Sequence, residues 1–146
     1  MFGFIAALVS GALMSIQGVF NTEVTKQKGT WLTNSFVQLS GFFVCLVIWF
    51  IKERKKNPPM EIFLVEPKYY LLGGVIGAFI TFTVIAGMSA LGPAKAVMLI
   101  VSAQLIVAYL IEVFGIFGVE KSGFDWMKFL GTGLFLAGII VFKARG

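Results

Sequence analysis

The chain has 146 residues, 58% of them hydrophobic and 13% charged, with a net charge of +5 and a mean hydropathy of +0.93. A soluble domain of this size would be roughly half apolar and a quarter charged, so the composition excludes one and specifies an integral membrane protein. The absence of histidine and the presence of a single cysteine, Cys45, exclude an intramolecular disulfide and a zinc site of cysteine and histidine.

Five apolar stretches approach or exceed the roughly 20 residues a helix needs to cross a hydrocarbon core. They lie at residues 1–22, 31–51, 69–91, 93–118 and 126–142, and predict an all-α bundle of five transmembrane helices in a single membrane domain, 1–146. The first has no basic leader and continues apolar past any cleavage position, so it reads as a spanning helix and not as a removed signal. Near its end Gln17 and Asn21 are four residues apart and share a helical face, and Ser10 and Met14 continue that stripe inward.

The second stretch opens at Trp31 and closes at Trp49, both suited to the headgroup layer. It carries a second amide pair, Asn34 and Gln38, followed by Ser40. An amide at membrane depth needs a hydrogen-bond partner, whether a neighbouring helix, water in a cavity, or a ligand. The plain reading of both pairs is interhelical bonding, worth about 0.6 to 2 kcal/mol per contact. The functional reading is a solute path.

The one substantial loop, 52–68, begins with Lys52, Glu53, Arg54, Lys55 and Lys56 and continues into Asn57, Pro58 and Pro59, a sequence that stops a helix and lays a basic collar on the lipid surface. Tyr69 and Tyr70 then open the third stretch, and Gly92–Pro93 marks a very tight connection to the fourth, with Pro93 in its first turn.

That fourth stretch contains LIVSAQLIVAYLIEVFG, with Ser102 and Gln104 near its middle and Tyr109 and Glu112 toward its end. Tyr109 and Glu112 can share a face, with Gln104 about 12 Å of helix rise from Glu112. Glu112 is the one formal charge deep in an apolar stretch, where a carboxylate costs roughly 2.5 to 3.5 kcal/mol at a helix centre and less near its ends. It is either a proton or cation site that is protonated during a transport cycle, or a carboxylate close enough to the interface to reach water or a loop lysine such as Lys121. The fifth stretch is the shortest, and is expected to reach full length by letting Lys128 extend its stem back to the interface.

Small residues recur at four-residue spacing in the first stretch (Gly3, Ala7, Gly11, Ser15), in the third (Gly73, Gly77, Thr81) and in the fifth (Gly133, Ala137), which predicts close helix packing. With five spans the termini lie on opposite faces. Lys52, Arg54, Lys55, Lys56, Lys68, Lys121 and Lys128 then stand against Lys26, Lys28, Lys95, Lys143 and Arg145, seven against five. So small a bias barely orients the chain by the positive-inside rule. Two outcomes stay open: a single orientation set by the basic collar, with the N terminus inside, or insertion both ways with head-to-tail pairing. The basic residues flank hydrophobic spans, which makes them topology and lipid contacts and excludes a nucleic-acid partner.

An inverted second copy would bring Gln17 and Asn21 of one chain to the level of Glu112 of the other, and both Gln104 side chains near the midplane, where inverted-repeat transporters hold substrate. The segments GALMSIQGVFN (Gly11 to Asn21), LGG (Leu72 to Gly74) and SAQLIVAYLIEVFGIFG (Ser102 to Gly118) resemble the five-helix YdcZ-like family of the drug/metabolite transporter superfamily. The resemblance covers nearly the whole chain and implies an inner-membrane transporter built as an inverted dimer, with Gln17, Asn21, Gln104 and Glu112 at its working positions. Asn34 and Gln38 are additions to the family's usual pattern. No glutamate stands in the middle of the first stretch, unlike in the four-helix small multidrug resistance relatives, which argues against cation antiport by their mechanism.

The expected function is therefore secondary transport, as an exporter, of a small organic solute across a bacterial inner membrane by an antiparallel homodimer or a heterodimer with a homologous subunit. Its candidate residues are Glu112, Gln104, Gln17, Asn21, Tyr109 and Ser102, with Asn34 and Gln38 secondary. No cofactor, metal or covalent catalysis is expected, since catalytic acid pairs and phosphate-binding glycine loops are missing. The alternatives are a passive channel and a non-transporting membrane partner subunit.

Overall fold

A computed structural model describes residues 1–143 and divides the chain into two compact units, residues 1–90 and residues from 91 onward. Arg145, part of the charge balance above, lies outside the described residues. The described residues form five α-helices and short 3-10 turns.

In the first unit, α1 (Phe2–Lys28) is followed by α2 (Thr30–Lys52) with Gly29 alone between them. α1 runs a turn and a half beyond the apolar stretch that predicted it, because leaving hydrocarbon does not end a helix. Lys26 pairs with Glu23 at 2.6 Å within the added turn, and Lys26 and Lys28 meet the negative end of the helix dipole. The break falls at Gly29, whose φ of 87° and ψ of 158° are essentially open to glycine alone. Gly29 N–H donates to the Thr25 carbonyl at 2.9 Å, while its own carbonyl accepts from Thr33 N–H at 3.2 Å and Thr33 Oγ1 at 2.8 Å.

α2 ends at Lys52, before the prolines. Trp49 Nε1 donates to the Asn57 carbonyl at 3.0 Å, and Arg54 lies 4.3 Å over the Phe50 ring, which holds the basic collar against the helix end. The loop is not extended coil: it contains 3-10 turns at Pro59–Leu64 and Lys68–Leu72, the first presenting Met60, Ile62, Phe63 and Leu64 outward. α3 (Gly73–Leu91) completes this unit. Trp31 of α2 stacks on Phe82 of α3 with ring centroids 4.9 Å apart, and Gly18 of α1 lies so close to Met88 that an added Cβ would collide with its Sδ and Cε.

The second unit consists of α4 (Pro93–Phe114), a turn at Ile116–Gly118 and α5 (Trp126–Lys143). Gly92 repeats the backbone of Gly29, with φ 80° and ψ 158°, and Pro93 takes the first helical position as expected. α4 stops at Phe114, short of residue 118, because Gly115 adopts the left-handed conformation and caps the helix on the Ile111 carbonyl at 2.9 Å. Asp125 caps α5, its Oδ1 accepting from Met127 N–H at 2.8 Å and Lys128 N–H at 3.4 Å.

Four helices are long and apolar enough to cross a membrane, and α5 is a shorter apolar helix. Among the described residues the buried apolar side chains are Ile85, Met88 and Ala96, against the buried polar residues Asn21, Thr22, Thr33, Asn34 and Ser102. Lipid rewards this distribution. Hydrocarbon gives no gain for hiding leucine or phenylalanine between helices, whereas each polar group left facing it costs free energy.

Candidate functional site

The polar side chains of the spans fall into three groups. On α1, Ser10, Met14, Gln17 and Asn21 line one groove of about 600 Å³ together with Leu13, Ile16 and Phe20. This is the face predicted from their spacing. Gln17 is exposed and Asn21 is buried. Gln17 lies three turns back from the end of α1 at Lys28, and Glu112 is in the last turn of α4, a difference in helix length beyond the residue and not in depth within the apolar stretch.

Between α2 and α3, Asn34 is 3% exposed and its Nδ2 donates to the Ala78 carbonyl at 2.8 Å, while its Oδ1 is buried with no hydrogen-bond partner. One turn on, Gln38 Nε2 approaches Thr81 Oγ1 at 3.4 Å, and Thr81 in turn donates to the Gly77 carbonyl at 3.1 Å. The small residues Gly77 and Ala78 let α2 side chains reach the α3 backbone. This group thus works at least partly as interhelical bonding, with one acceptor left over.

The third group joins α4 to α5. Glu112 Oε2 accepts from Lys128 Nζ at 2.9 Å, with the two side chains 45% and 47% exposed. The partner of the carboxylate is Lys128 in the first turn of α5, not Lys121. Beside it the Tyr109 hydroxyl donates to the Asp125 carbonyl at 3.0 Å and accepts from Asp125 N–H at 3.2 Å. Ser122 N–H donates to the Glu112 carbonyl at 3.0 Å, closing the corner. Tyr109, Glu112 and Lys128 share a groove of about 420 Å³ with Leu105, Ala108 and Phe135.

Higher on α4, Ser102 is buried and donates to the Met98 carbonyl at 2.7 Å, which satisfies it within its own helix. Gln104 is exposed. Among the described residues no hydrogen bond is formed by the side-chain amides of Gln17, Asn21 or Gln104. Lys128, Asp125 and Thr81 were not singled out from sequence as site partners. An aspartate directly before Trp126 was the available signal for the cap, but nothing in the spacing tied Lys128 to Glu112.

No group of three or more histidine, cysteine, aspartate or glutamate side chains suited to a metal ion occurs among the described residues. In the comparison with protein families, the one described as "Putative inner membrane exporter, YdcZ" matches residues 2–141. No curated protein and no solved structure matches the chain.

Proposed function

Because the chain belongs to the YdcZ family of the drug/metabolite transporter superfamily and passes the inner membrane several times, we propose that it exports a small organic solute as an inverted dimer, with a proton exchanged at Glu112. The observation that carries this reading is the set of unmet amides. Gln17, Asn21 and Gln104 sit on apolar helices, yet make no hydrogen bond among the described residues. In hydrocarbon such groups find partners in another subunit, in water, or in a solute. A second copy turned over would face polar stripe with polar stripe and enclose a wet path between them.

Glu112 supplies the coupling group. In its charged state Lys128 neutralises it across 2.9 Å, and a proton arriving on the carboxylate would free that lysine. Exchange of one positive partner for another is the elementary step that proton coupling requires, and the half-exposed pair is open to it.

The test uses purified protein in liposomes, with cargo chosen as the strongest stabiliser in a thermal-shift screen of metabolites and organic cations. A pH gradient should accelerate saturable uptake in the wild type. Glu112→Gln should abolish that acceleration while melting normally, and Gln17→Leu or Gln104→Leu should reduce transport at least tenfold. Uptake that never saturates, or conductance far above any alternating cycle, would identify a pore instead.

A further inference from the structure

The groove that holds Glu112 and Lys128 does not end with them. It is followed along the same pair of helices by a second groove of about 480 Å³, lined by Val97, Met98, Val101, Leu134, Gly138 and Phe142 among others, all apolar. Phe135 belongs to both. The α4–α5 seam is thus an amphiphilic track, with one positive and one negative charge at one end and apolar walls for the remainder.

The aromatic surroundings of the charged end suit headgroup level. That end is in the first turn of α5, next to a cluster in which Trp126 stacks on Phe129 at 5.4 Å and Phe124 packs against both, the ring chemistry of a membrane–water interface. From Lys128 to Phe142 the helix rises about 21 Å, more than the roughly 15 Å that one leaflet of a ~30 Å core provides for an acyl chain.

We propose that this seam seats an aminophospholipid, its ammonium group on Glu112, its phosphate on Lys128 and one acyl chain laid along the apolar track toward Phe142. Charge decides the class. The Glu112–Lys128 pair is neutral, so a headgroup carrying both signs leaves every charge opposed, whereas an anionic headgroup with its phosphate on Lys128 would leave the Glu112 carboxylate without a cation. A primary ammonium also brings N–H donors to the carboxylate, which a quaternary one lacks. A helix from a second copy fits less well, because it would desolvate two half-exposed charges. The inference shares Glu112 with the export reading but does not rest on it, since lipid retention is read without transport and the seat would serve a silent subunit as well.

The experiment is native mass spectrometry of the full chain released from micelles doped with phosphatidylethanolamine, phosphatidylcholine or phosphatidylglycerol of identical acyl chains. Retention of phosphatidylethanolamine should exceed that of phosphatidylglycerol at least tenfold, and Glu112→Gln should remove the preference. Gly138→Leu should lower retention of all three, and it provides a check independent of the charges: a Cβ at Gly138 meets nothing within 4 Å, so the side chain fills the track without disturbing the helix. Equal retention of the three lipids would overturn the proposal, as would retention unchanged by both variants. So would a disulfide between copies through Gly138→Cys in a Cys45→Ser background, which would give the seam to a second copy.

Discussion

Asn34 Nδ2 lies 2.8 Å from the carbonyl oxygen of Ala78, so a side chain only 3% exposed ties α2 to the backbone of α3. The other end of the same amide, Oδ1, has no partner. Asn34 is therefore both a helix–helix contact and the most deeply buried unmet acceptor among the candidate residues.

Replacing Asn34 by leucine separates those roles. The lost contact is worth about 0.6 kcal/mol on average and about 1.7 at most, while deleting a buried orphan acceptor returns about 1–3 kcal/mol. The terms offset, and Asn34→Leu is expected to unfold in mixed micelles within about 1 kcal/mol of wild type. A loss well beyond that would mean Oδ1 is held by water or solute in the membrane.

Gly18 is predicted to be intolerant for a steric reason. A Cβ there meets Met88 Sδ and Cε and comes within 3.3 Å of Val84 Cγ1, and Met88 is 3% exposed. Overpacking of this kind costs about 1–3 kcal/mol, and a flexible methionine end holds Gly18→Ala near the lower figure. Met88→Ala should relieve most of it in a double-mutant cycle read by thermal unfolding.

The contrast between Gly18 and Gly29 shows how much of the molecule was legible beforehand. Helix number, the Gly92–Pro93 break and the α1 face carrying Gln17 and Asn21 follow from hydropathy and the 3.6-residue period, which are local properties of the chain. The closure at Gly29 was not legible, because charges at Glu23, Lys26 and Lys28 end the apolar stretch well before the helix itself ends. The Gly18–Met88 approach and the pairing of Glu112 with Lys128 depend on which helices meet, and no periodicity within one helix encodes that. Ser102 shows the converse, a residue picked for its polarity that bonds within its own turn.

At the α4–α5 corner two substitutions should interact. Asp125→Ala removes the cap on Met127 and Lys128, a loss of about 0.5–2 kcal/mol. Tyr109→Phe removes the hydroxyl bonds to the main chain of Asp125, about 1 kcal/mol each. Once the cap is gone the first turn of α5 frays and Asp125 no longer offers Tyr109 a fixed partner. The double variant should therefore lose less than the sum of the two, by about 0.5 kcal/mol or more, as measured by unfolding in micelles.

Orientation gives the last prediction. If all five helices cross, the two faces carry seven basic residues and five, and the balance rests on the loop between α2 and α3, where Met60 is 72% exposed. With Cys45 replaced by serine, a cysteine at position 60 should be labelled by an impermeant maleimide from both sides of the membrane in comparable amounts if the proposed inverted pair forms from one gene product, an excess of two lysines and arginines being a weak orienting bias. Adding two lysines to this loop should drive the label to one side, because short loops within reach of the membrane are those the positive-inside rule counts. If the unaltered loop is labelled from one side only, the chain inserts in a single direction, and an inverted pair would then require a second, oppositely inserted homologous subunit.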